Sequence, residues 1–464
     1  MEFQQFFLSC LAHASYLIGS EGMAAVVDPQ RDIGIYLEEA ERRGLQIAYV
    51  IETHLHADFV SGHRELAAIT GASIYVSAAA EARFPHVGVK DGDVLSLGTA
   101  HLTFLATPGH TLESICVLVT DLARSDEPIA VLSGDTLFIG DVGRPDLSGD
   151  RTPQELAGML YDSLHAKLLT LPDAVGVYPA HGAGSLCGRQ MRPERSSTIG
   201  EERRSNYALR VASRDEFVRL LTAELPERPS YFARDVEINR AGATPLGDLP
   251  PPAALRPGEV LTKQEAGALV LDTRIETDFG AAHVPGAVNI GLSGSYASWA
   301  GIVIGLDRDV VLVAEDDERL RESQLRLARV GIERVVGSLA DGMAAWARED
   351  LPVEHVPRIT VERLARLTDR DEVQTIDVRR ALEWEQGHVA GAAHKPLNTL
   401  PATLLDLDPA RPTAAYCKGG YRSSIATSLL QRAGFDDVMN VVGGFDAWLA
   451  CELPYAVEKE RSHV

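Results

Sequence analysis

Two histidines and an aspartate, His54, His56 and Asp58, alternate directly after the apolar stretch Ile47–Ile51. The stretch predicts a strand, so the three side chains should lie on the loop at its end. Imidazole nitrogens and carboxylate oxygens hold borderline divalent metals, and this ligand set suits zinc or ferrous iron. The next residue is Phe59, and a phenyl ring cannot bind a metal. The run therefore predicts a metal centre.

Three further candidate ligands, His110, Asp135 and His181, each follow a predicted strand. His110 ends the run TPGH, in which Pro-Gly forces a turn, Asp135 lies in SGDT, and His181 lies in PAHG. A single residue of this kind is more often a cap or a turn residue. Loops at strand ends converge in many folds, however, so these residues become candidates for the same metal centre.

The first half of the chain alternates short apolar, often β-branched runs with helical patterns such as Ile35–Arg43. Many short strands with helices between them predict an α/β sandwich of two sheets flanked by helices, the αββα arrangement. The predicted strands are Ala24–Asp28, Ile47–Ile51, Ser73–Val76, Leu102–Ala106, Ile115–Val119, Ile129–Leu132 and Gly176–Tyr178.

Composition limits the classes of partner. With 464 residues the chain has room for several domains, and a net charge of −22 argues against binding to nucleic acid or to an anionic membrane. Five cysteines without a regular framework indicate reduced thiols. The N-terminal residues carry no basic region typical of a signal peptide, and no apolar run is long enough to span a bilayer. We expect a cytoplasmic protein that forms a homo-oligomer.

A Pro-rich segment, residues 244–257, predicts a semi-rigid linker without strand or helix after a first domain at residues 1–243. Beyond it, Asp272-Thr-Arg274 recurs as Asp377-Val-Arg379, and His283–Ala287 recurs as His388–Ala392, both after 105 residues. A repeat of this length predicts two copies of one α/β domain, at residues 258–355 and 356–458.

Only the second copy carries a nucleophile. The predicted strand Ala414–Tyr416 leads into Cys417 and then into the predicted helix Ser423–Ala433. Loop amides and the helix N-terminus would stabilise a thiolate or persulfide anion, and Arg422 would order the loop and add positive charge. A buried structural cysteine is the alternative. The residues expected to bind substrate are Lys418, Gly419, Gly420 and Tyr421.

In the first copy, the corresponding position is Ala314, followed by the acidic residues Glu315, Asp316, Asp317 and Glu318. Alanine supplies no nucleophile, and the carboxylates would repel an anionic substrate. We expect this copy to be inactive.

Residues 1–243 resemble the persulfide dioxygenases of the metallo-β-lactamase superfamily. The resemblance is carried by the runs at 53–63, 107–110 and 133–136, by Gly143-Arg144 and by the tail at 201–206. The C-terminal half resembles the rhodanese family in its strand-Asp-x-Arg and Gly-His-x-x-Gly-Ala motifs, although the first copy has Ala282 where the second has Gly387. Together these resemblances imply a fusion of a dioxygenase, an inactive rhodanese domain and an active one.

The resemblance implies one Fe(II) per chain, held by His54, His110 and Asp135. It makes His56, Asp58 and His181 groups that orient ligands and bound water, with a vestigial hydrogen-bond network as the alternative. Arg144 matches the substrate arginine of the family, with a surface salt bridge as the alternative. Cys187, which follows the His181 loop, is a candidate sulfur relay.

The implied activity is sulfide detoxification, in which O₂ oxidises a thiol persulfide to sulfite and thiol. Cys417 would exchange sulfane sulfur between thiosulfate, sulfite and thiol persulfides. Two alternatives stay open: a thioester hydrolase of the glyoxalase II type, which would require a histidine in place of Phe59, and a sensor in which Cys417 only stores sulfur. Residues 182–184 lack the tyrosine of glutathione-using members, so the thiol carrier stays open, as does the direction of transfer.

Overall fold

A computed structural model describes residues 1–149, 151–225 and 227–458, which divide into two compact units. The first unit comprises Met1–Pro250 with Ala328–Gly331, and the second extends from Pro251 to Leu327 and from Ile332 onward. None of the helices in these described residues is long and apolar enough to cross a membrane.

Two six-stranded sheets form the first unit. The first sheet follows chain order, with β1 Glu2–Leu8, β2 His13–Ser20, β3 Met23–Val27, β4 Gln46–Ile51, β5 Ser73–Ser77 and β6 Val87–Val89. The second sheet has the order β12-β11-β10-β9-β8-β7, with β7 Val94–Leu97, β8 Ala100–Ala106, β9 Ile115–Asp121, β10 Pro128–Gly134, β11 Gly176–Pro179 and β12 Ser197–Thr198. The helices are α1 Gly34–Arg43, α2 His63–Thr70, α3 Pro153–Ala166, α4 Ile199–Ser205, α5 Arg214–Thr222 and α6 Phe232–Ala241.

The two-residue period of the strands divides their side chains between three layers of core. In β3, Ala25 and Val27 join the core between the sheets, whereas Ala24 and Val26 pack with α1 on the outer face. In β10, Leu132 joins the core between the sheets and Val131 packs outward with α3 and α5. Both β3 and β10 are therefore buried on both faces, which explains their continuous apolar runs and confirms the predicted sandwich flanked by helices.

The second unit contains two sheets of the same topology. Their strand orders are β13-β17-β16-β14-β15 and β18-β23-β22-β19-β21, and every pair within them is parallel. This correspondence agrees with the sequence repeat. The strands of the first copy are β13 Ala254–Leu255, β14 Leu269–Asp272, β15 Val288–Asn289, β16 Val310–Val313 and β17 Val335–Leu339. Its helices are α7 Pro257–Glu265, α8 Glu276–Ala281, α9 Tyr296–Ile304, α10 Asp317–Ala328 and α11 Gly342–Arg348.

The second copy repeats this arrangement of strands and adds a short antiparallel pair, β20 with β24. Its strands are β18 Arg358–Ile359, β19 Gln374–Asp377, β20 His388–Val389, β21 Ala393–His394, β22 Thr413–Tyr416, β23 Val438–Val441 and β24 Tyr455–Ala456. Its helices are α12 Val361–Asp369, α13 Ala381–Glu385, α14 Leu400–Thr403, α15 Tyr421–Arg432 and α16 Gly444–Ala450.

The prediction that residues 244–257 contain neither strand nor helix is wrong near both ends, since Leu246–Asp248 form a 3₁₀-helix and the C-terminal end contains a strand and the start of a helix. Ala254 and Leu255 form β13, which pairs with β17, and Pro257 begins α7. Ser338 and Ala340 donate backbone hydrogen bonds to the carbonyls of Ala253 and Leu255, so the missing N–H groups of the preceding prolines do not interfere.

Candidate active sites

The ligand atoms of His54, His110 and Asp135 converge at the strand ends of the first unit. All three residues are buried, and their candidate ligand atoms lie within 4.8 Å of one another. Asp135 Oδ2 is 3.4 Å from His110 Nε2 and 3.8 Å from His54 Nε2. Neither Asp135 Oδ2 nor His54 Nε2 has a hydrogen-bond partner among the described residues. Buried polar atoms left without partners and facing a common point fit a metal ion.

Hydrogen bonds determine which nitrogen of each histidine is available. Thr53 Oγ1 donates its only hydrogen to Asp28 Oδ2, so it must accept the one from His54 Nδ1. His110 Nδ1 faces the carbonyl of Arg144 at 3.0 Å, which can only accept. Both rings therefore present the lone pair of Nε2, and burial lowers the pKa of both, which keeps them neutral.

His181 lies between two carboxylates. Its Nδ1 is 2.8 Å from Asp135 Oδ1, and its Nε2 is 2.9 Å from Asp58 Oδ2. Burial alone would lower its pKa, but Asp135 and Asp58 hold the pKa of His181 well above its ordinary value. The candidate ligand atoms of His56, Asp58 and His181 also lie within 4.8 Å of one another, so these residues form a second candidate metal group. Through Nδ1, His181 holds Asp135 so that Oδ2 faces His54 and His110.

Glycines allow the close approach of the loops around these ligands. A Cβ at Gly143 would lie 1.9 Å from the carbonyl oxygen of Asp135 and 2.9 Å from His110 Nδ1. Gly134, with φ +51°, precedes Asp135, and a Cβ there would meet Thr53 Oγ1 at 2.8 Å. A larger residue at either position would displace the candidate ligands. The close approach of these loops therefore requires glycine at both positions.

His56 belongs to a second buried cluster, and its ring centroid lies 4.1 Å from that of His54. Its Nε2 is 3.2 Å from Asp28 Oδ1 and 3.7 Å from Glu52 Oε2, and His63 Nδ1 is 3.6 Å from Glu52 Oε1. Burial, followed by repulsion from Asp28, raises the pKa of Glu52 well above its ordinary value. Sequence reasoning did not single out Asp28, Glu52 or His63. Their only signal is their position at the ends of β3 and β4 and at the start of α2.

His13 was also missed. It is buried, and its ring centroid lies 4.0 Å from that of Phe59 and 5.6 Å from that of His181. Burial, with His181 and His56 adding to it, lowers the pKa of His13 well below its ordinary value. Because it begins β2, far along the chain from the metal-binding runs, no spacing pattern could reveal it.

Two C-terminal segments of the unit fasten the site loops. Asn239 of α6 donates to the carbonyls of His56 and Phe59, at 2.7 and 2.8 Å. Glu202 accepts from the Gly140 amide at 2.7 Å, and Asn206 donates to the carbonyl of Asp141 at 2.9 Å. The tail at 201–206 therefore holds the loop that leads to Gly143.

Arg144 and Cys187 lie beside the ligand set. Arg144 is buried in a bidentate ion pair with Asp146, at 2.7 and 2.8 Å, so its charge is balanced within the protein. Cys187 is buried, and its sulfur lies within 4.8 Å of candidate ligand atoms of Asp135 and His181. Burial, then the charges of Asp58 and Asp135, raise the pKa of the Cys187 thiol well above its ordinary value.

In the second unit, Cys417 follows β22 at the base of a short loop. Its Sγ accepts a hydrogen bond from the Gly420 amide at 3.1 Å, and Ser423 Oγ lies 3.5 Å away. The helix α15 begins at Tyr421, with Gly420 at φ +115° as its N-cap. A sulfur anion here would meet the positive end of the helix and loop amides. Lys418 and Gly419 are exposed at the top of the loop.

Arg422 is held by a carboxylate of its own domain. Its guanidinium makes a bidentate ion pair with Glu383, at 2.6 and 2.7 Å. Although burial alone would raise it, Arg422 holds the pKa of Glu383 below its ordinary value. The arginine therefore ties the first turn of α15 to α13, and part of its charge is balanced.

The first copy replaces this loop. Ala314 follows β16, and the exposed residues from Glu315 lead into α10, which begins at Asp317. The Asp272–Arg274 ion pair matches the Asp377–Arg379 pair, with both Nη2–Oδ2 distances at 2.6 Å. The framework of the domain is retained, and the nucleophile is not.

Comparison with known proteins follows the division of the chain. The metallo-β-lactamase superfamily matches residues 8–181, and the rhodanese-like domain matches residues 256–349 and 360–451. A crystal structure of a metallo-β-lactamase from Staphylococcus aureus is 31% identical, with a TM-score of 0.66, covering 73% of this chain and 98% of that one. These matches confirm the predicted fold class and the order of domains.

Curated relatives of the first unit carry two different names. A hydroxyacylglutathione hydrolase of Polaromonas is 37% identical over 36% of this chain, and the chain spans 61% of the length of that relative. The mitochondrial persulfide dioxygenase of Bos taurus is 30% identical over 45% of this chain and 75% of its own length. The two names describe different reactions.

Proposed function

We propose that this chain, which belongs to the metallo-β-lactamase superfamily and carries two rhodanese-like domains, is an iron-dependent persulfide dioxygenase joined to a sulfurtransferase. The observation that carries the proposal is the ligand set: His54, His110 and Asp135 provide two nitrogens and one carboxylate oxygen. That set is typical of non-haem Fe(II) oxygenases, which keep open positions for both reactants.

Two features bear on a second metal of the kind that two-metal hydrolases hold. Phe59 removes one ligand, and it is completely buried against His13 and His56. His181 faces carboxylates through both nitrogens, at 2.8 and 2.9 Å, and a proton on each nitrogen would leave it no lone pair for a second metal. These features support one metal per chain and therefore favour oxygenation over hydrolysis.

The proposed reaction balances as R-S-SH + O₂ + H₂O → R-SH + SO₃²⁻ + 2H⁺. Iron, when bound, supplies the redox chemistry that lets O₂ react with the persulfide sulfur. His54 and His110 contribute neutral nitrogens whose orientation is set by Thr53 and by the Arg144 carbonyl. His181 keeps one carboxylate oxygen of Asp135 turned to the site.

In the second unit, Cys417 would exchange sulfane sulfur. The thiol attacks the outer sulfur of thiosulfate, forming Cys417-S-SH and releasing sulfite, and a thiol acceptor then takes that sulfur as R-S-SH. The Gly420 amide and the N-terminus of α15 stabilise the sulfur anion, which supports Cys417 as the nucleophile. Lys418, Gly419, Gly420 and Tyr421 would form the substrate loop, and Arg422 would order it.

Two residues near the first site have proposed secondary roles. Cys187 lies within reach of the ligand set and could accept sulfur from a bound persulfide, although its raised pKa leaves it a thiol unless a cation is nearby. Arg144 already pairs with Asp146, so an anionic carrier would compete with that carboxylate for the guanidinium. Five free cysteines suit a reducing compartment, and we propose the cytoplasm.

A thioester hydrolase of the glyoxalase II type is the second candidate, because the relative from Polaromonas is named a hydroxyacylglutathione hydrolase. Metal analysis separates the two candidates. We expect about one iron per chain after iron loading, as three protein ligands at a single site predict. Two equivalents of zinc together with hydrolysis of a glutathione thioester would contradict the dioxygenase.

A further inference from the structure

The helix α15 connects the reactive cysteine of the second copy to the inactive first copy. Its first turn follows Cys417 directly, and the amide of Gly420, its N-cap, donates to the sulfur at 3.1 Å. A small shift of this turn would move the amide and the positive helix end away from the sulfur. Whatever holds the turn in place therefore affects the reactivity of Cys417.

On one side, the turn is held by its own domain. Ser423 Oγ donates to Asn440 Oδ1 at 2.7 Å, and Asn440 Nδ2 donates to the carbonyl of Gly420 at 3.3 Å. Ser423 Oγ is also 3.5 Å from the Cys417 sulfur. These contacts fix the face of α15 that points toward the active loop.

On the other side, the helix is held by the inactive copy. Ser424 Oγ donates to Asn289 Oδ1 at 2.6 Å, and the backbone N–H of Asn289 donates to Ser428 Oγ at 3.1 Å. Tyr421 Oη donates to the carbonyl of Gly291 at 2.9 Å. Tyr421, Ser424 and Ser428 lie at helical spacing, so they form one face of α15.

Both polar atoms of the Asn289 side chain make hydrogen bonds. Its Nδ2 donates to the carbonyls of Asp272 and Arg274, at 3.0 and 2.9 Å, and its Oδ1 accepts from Ser424. Because carbonyls can only accept, the amide group cannot be reversed, and Oδ1 must face the helix. Asn289 and Ser424 are both buried, so the hydrogen bond between them cannot be exchanged for one to bulk water without opening the contact.

The two copies differ at these positions. One repeat later, the residue corresponding to Asn289 is His394, whose Nε2 faces the carbonyl of Arg379 at 3.0 Å and so repeats only the bond within its domain. With Gly331 aligned to Gly434, Arg321 and Leu325 of α10 correspond to Ser424 and Ser428. The small hydroxyl face therefore belongs to the copy that carries Cys417, and its partner asparagine belongs to the copy that has lost the nucleophile.

We propose that Asn289 is a positioning residue for Cys417, so that the inactive copy keeps the active-site helix in its reactive position. This inference rests on the proposed sulfurtransferase function of Cys417. It assigns the inactive copy a role in the chemistry of its neighbour, although it contains no nucleophile of its own.

The test compares Asn289→Ala with Thr427→Val in the full-length protein. Thr427 is a matched control, since it is buried on α15 and its hydroxyl donates only within the helix, to the Ser424 carbonyl at 2.9 Å. The first readout is kcat and KM for thiosulfate with cyanide as acceptor. The second is the rate at which iodoacetamide alkylates Cys417, followed by peptide mass spectrometry to separate it from the other cysteines.

For Asn289→Ala we expect kcat and the alkylation rate to fall together by about fivefold to tenfold, as loss of a buried hydrogen bond predicts. The KM for thiosulfate should stay within about twofold, because the loop residues themselves are unchanged. Thr427→Val should leave all three values within about twofold of the wild type. A variant that lowers only the melting temperature, with kcat and alkylation unchanged, would show a purely structural contact and overturn the proposal.

Two further variants keep the test decisive. Tyr421→Phe removes only the hydroxyl bound to Gly291, and should lower the alkylation rate even if Asn289→Ala does not fold. Asn289→Ala combined with Ser424→Ala should be no worse than the more severe single variant, because both remove the same hydrogen bond. If the wild type transfers no sulfur, the sulfurtransferase function fails, and the alkylation rates still decide the positioning role.

Discussion

His181 Nδ1 lies 2.8 Å from Asp135 Oδ1, and this contact determines which oxygen of the carboxylate faces His54 and His110. Asp135 Oδ2 is left without a hydrogen bond among the described residues, 3.4 Å from His110 Nε2. Burial alone would raise its pKa, but His181 and the other histidines hold the pKa of Asp135 well below its ordinary value. The carboxylate is therefore ionised and ready to bind a cation.

Replacing His110 or Asp135 by alanine should abolish metal binding. Each removes one of three proposed protein ligands, so we expect bound iron below about a tenth of the wild-type amount. Oxygen uptake on a persulfide should fall in parallel. Metal analysis and an oxygen electrode measure both. Full iron content in Asp135→Ala would show that the ligand assignment is wrong.

Replacing His181 by alanine should weaken the site without emptying it. The variant loses the group that orients Asp135, and loss of such a group costs about 10-fold to 100-fold in metal affinity. Competition with a chelator measures the change. His165→Ala is the matched control, because His165 lies in the same unit but is remote in sequence from every proposed ligand. Its ring stacks on that of Tyr161, with the ring centroids 3.7 Å apart. Equal affinities in the two variants would assign His181 no part in the site.

Cys417→Ser should abolish sulfur transfer and leave oxygenation intact. A serine hydroxyl is a far weaker nucleophile, so thiosulfate turnover should fall by at least about 1000-fold. Oxygen uptake on an added persulfide should stay within about twofold, because the iron ligands lie in the other unit. Loss of oxygen uptake in this variant would mean that the two chemistries depend on each other.

Restoring a cysteine to the inactive copy should not restore activity. In Ala314→Cys with Cys417→Ser, the new thiol would face Glu315, Asp316, Asp317 and Glu318, whose charges repel thiosulfate. We expect turnover below about 1% of the wild type, as for Cys417→Ser alone. A thiocyanate assay measures it, and substantial turnover by the double variant would show that the acidic loop is no barrier.

Much of the first site follows from local sequence. His54 follows β4 of the first sheet, and His110, Asp135 and His181 follow β8, β10 and β11 of the second, so each candidate ligand could be found from the apolar strand before it. Cys417 in the second copy could be found in the same way, because it directly follows the predicted strand Ala414–Tyr416. The strands β1 and β2 were missed because polar residues such as Gln4, Gln5 and His13 interrupt their apolar pattern.

The rest depends on tertiary packing. Asp28 orients Thr53, and Asn239 fastens the His56 loop across 183 residues of chain, so no spacing rule connects them. The Asn289–Ser424 hydrogen bond joins residues 135 positions apart in two different domains. In the sequence each of these is an ordinary polar residue. Its role becomes apparent only from its hydrogen-bond partner in the folded protein.

Oxygen uptake by the iron-loaded protein tests whether the chain is a persulfide dioxygenase. Glutathione persulfide and coenzyme A persulfide would be compared with a glutathione thioester, and sulfite would be measured as the product. We predict that a dioxygenase consumes one O₂ for each sulfite formed from at least one persulfide, with negligible thioester hydrolysis. Rapid thioester hydrolysis without oxygen uptake on any persulfide would contradict it.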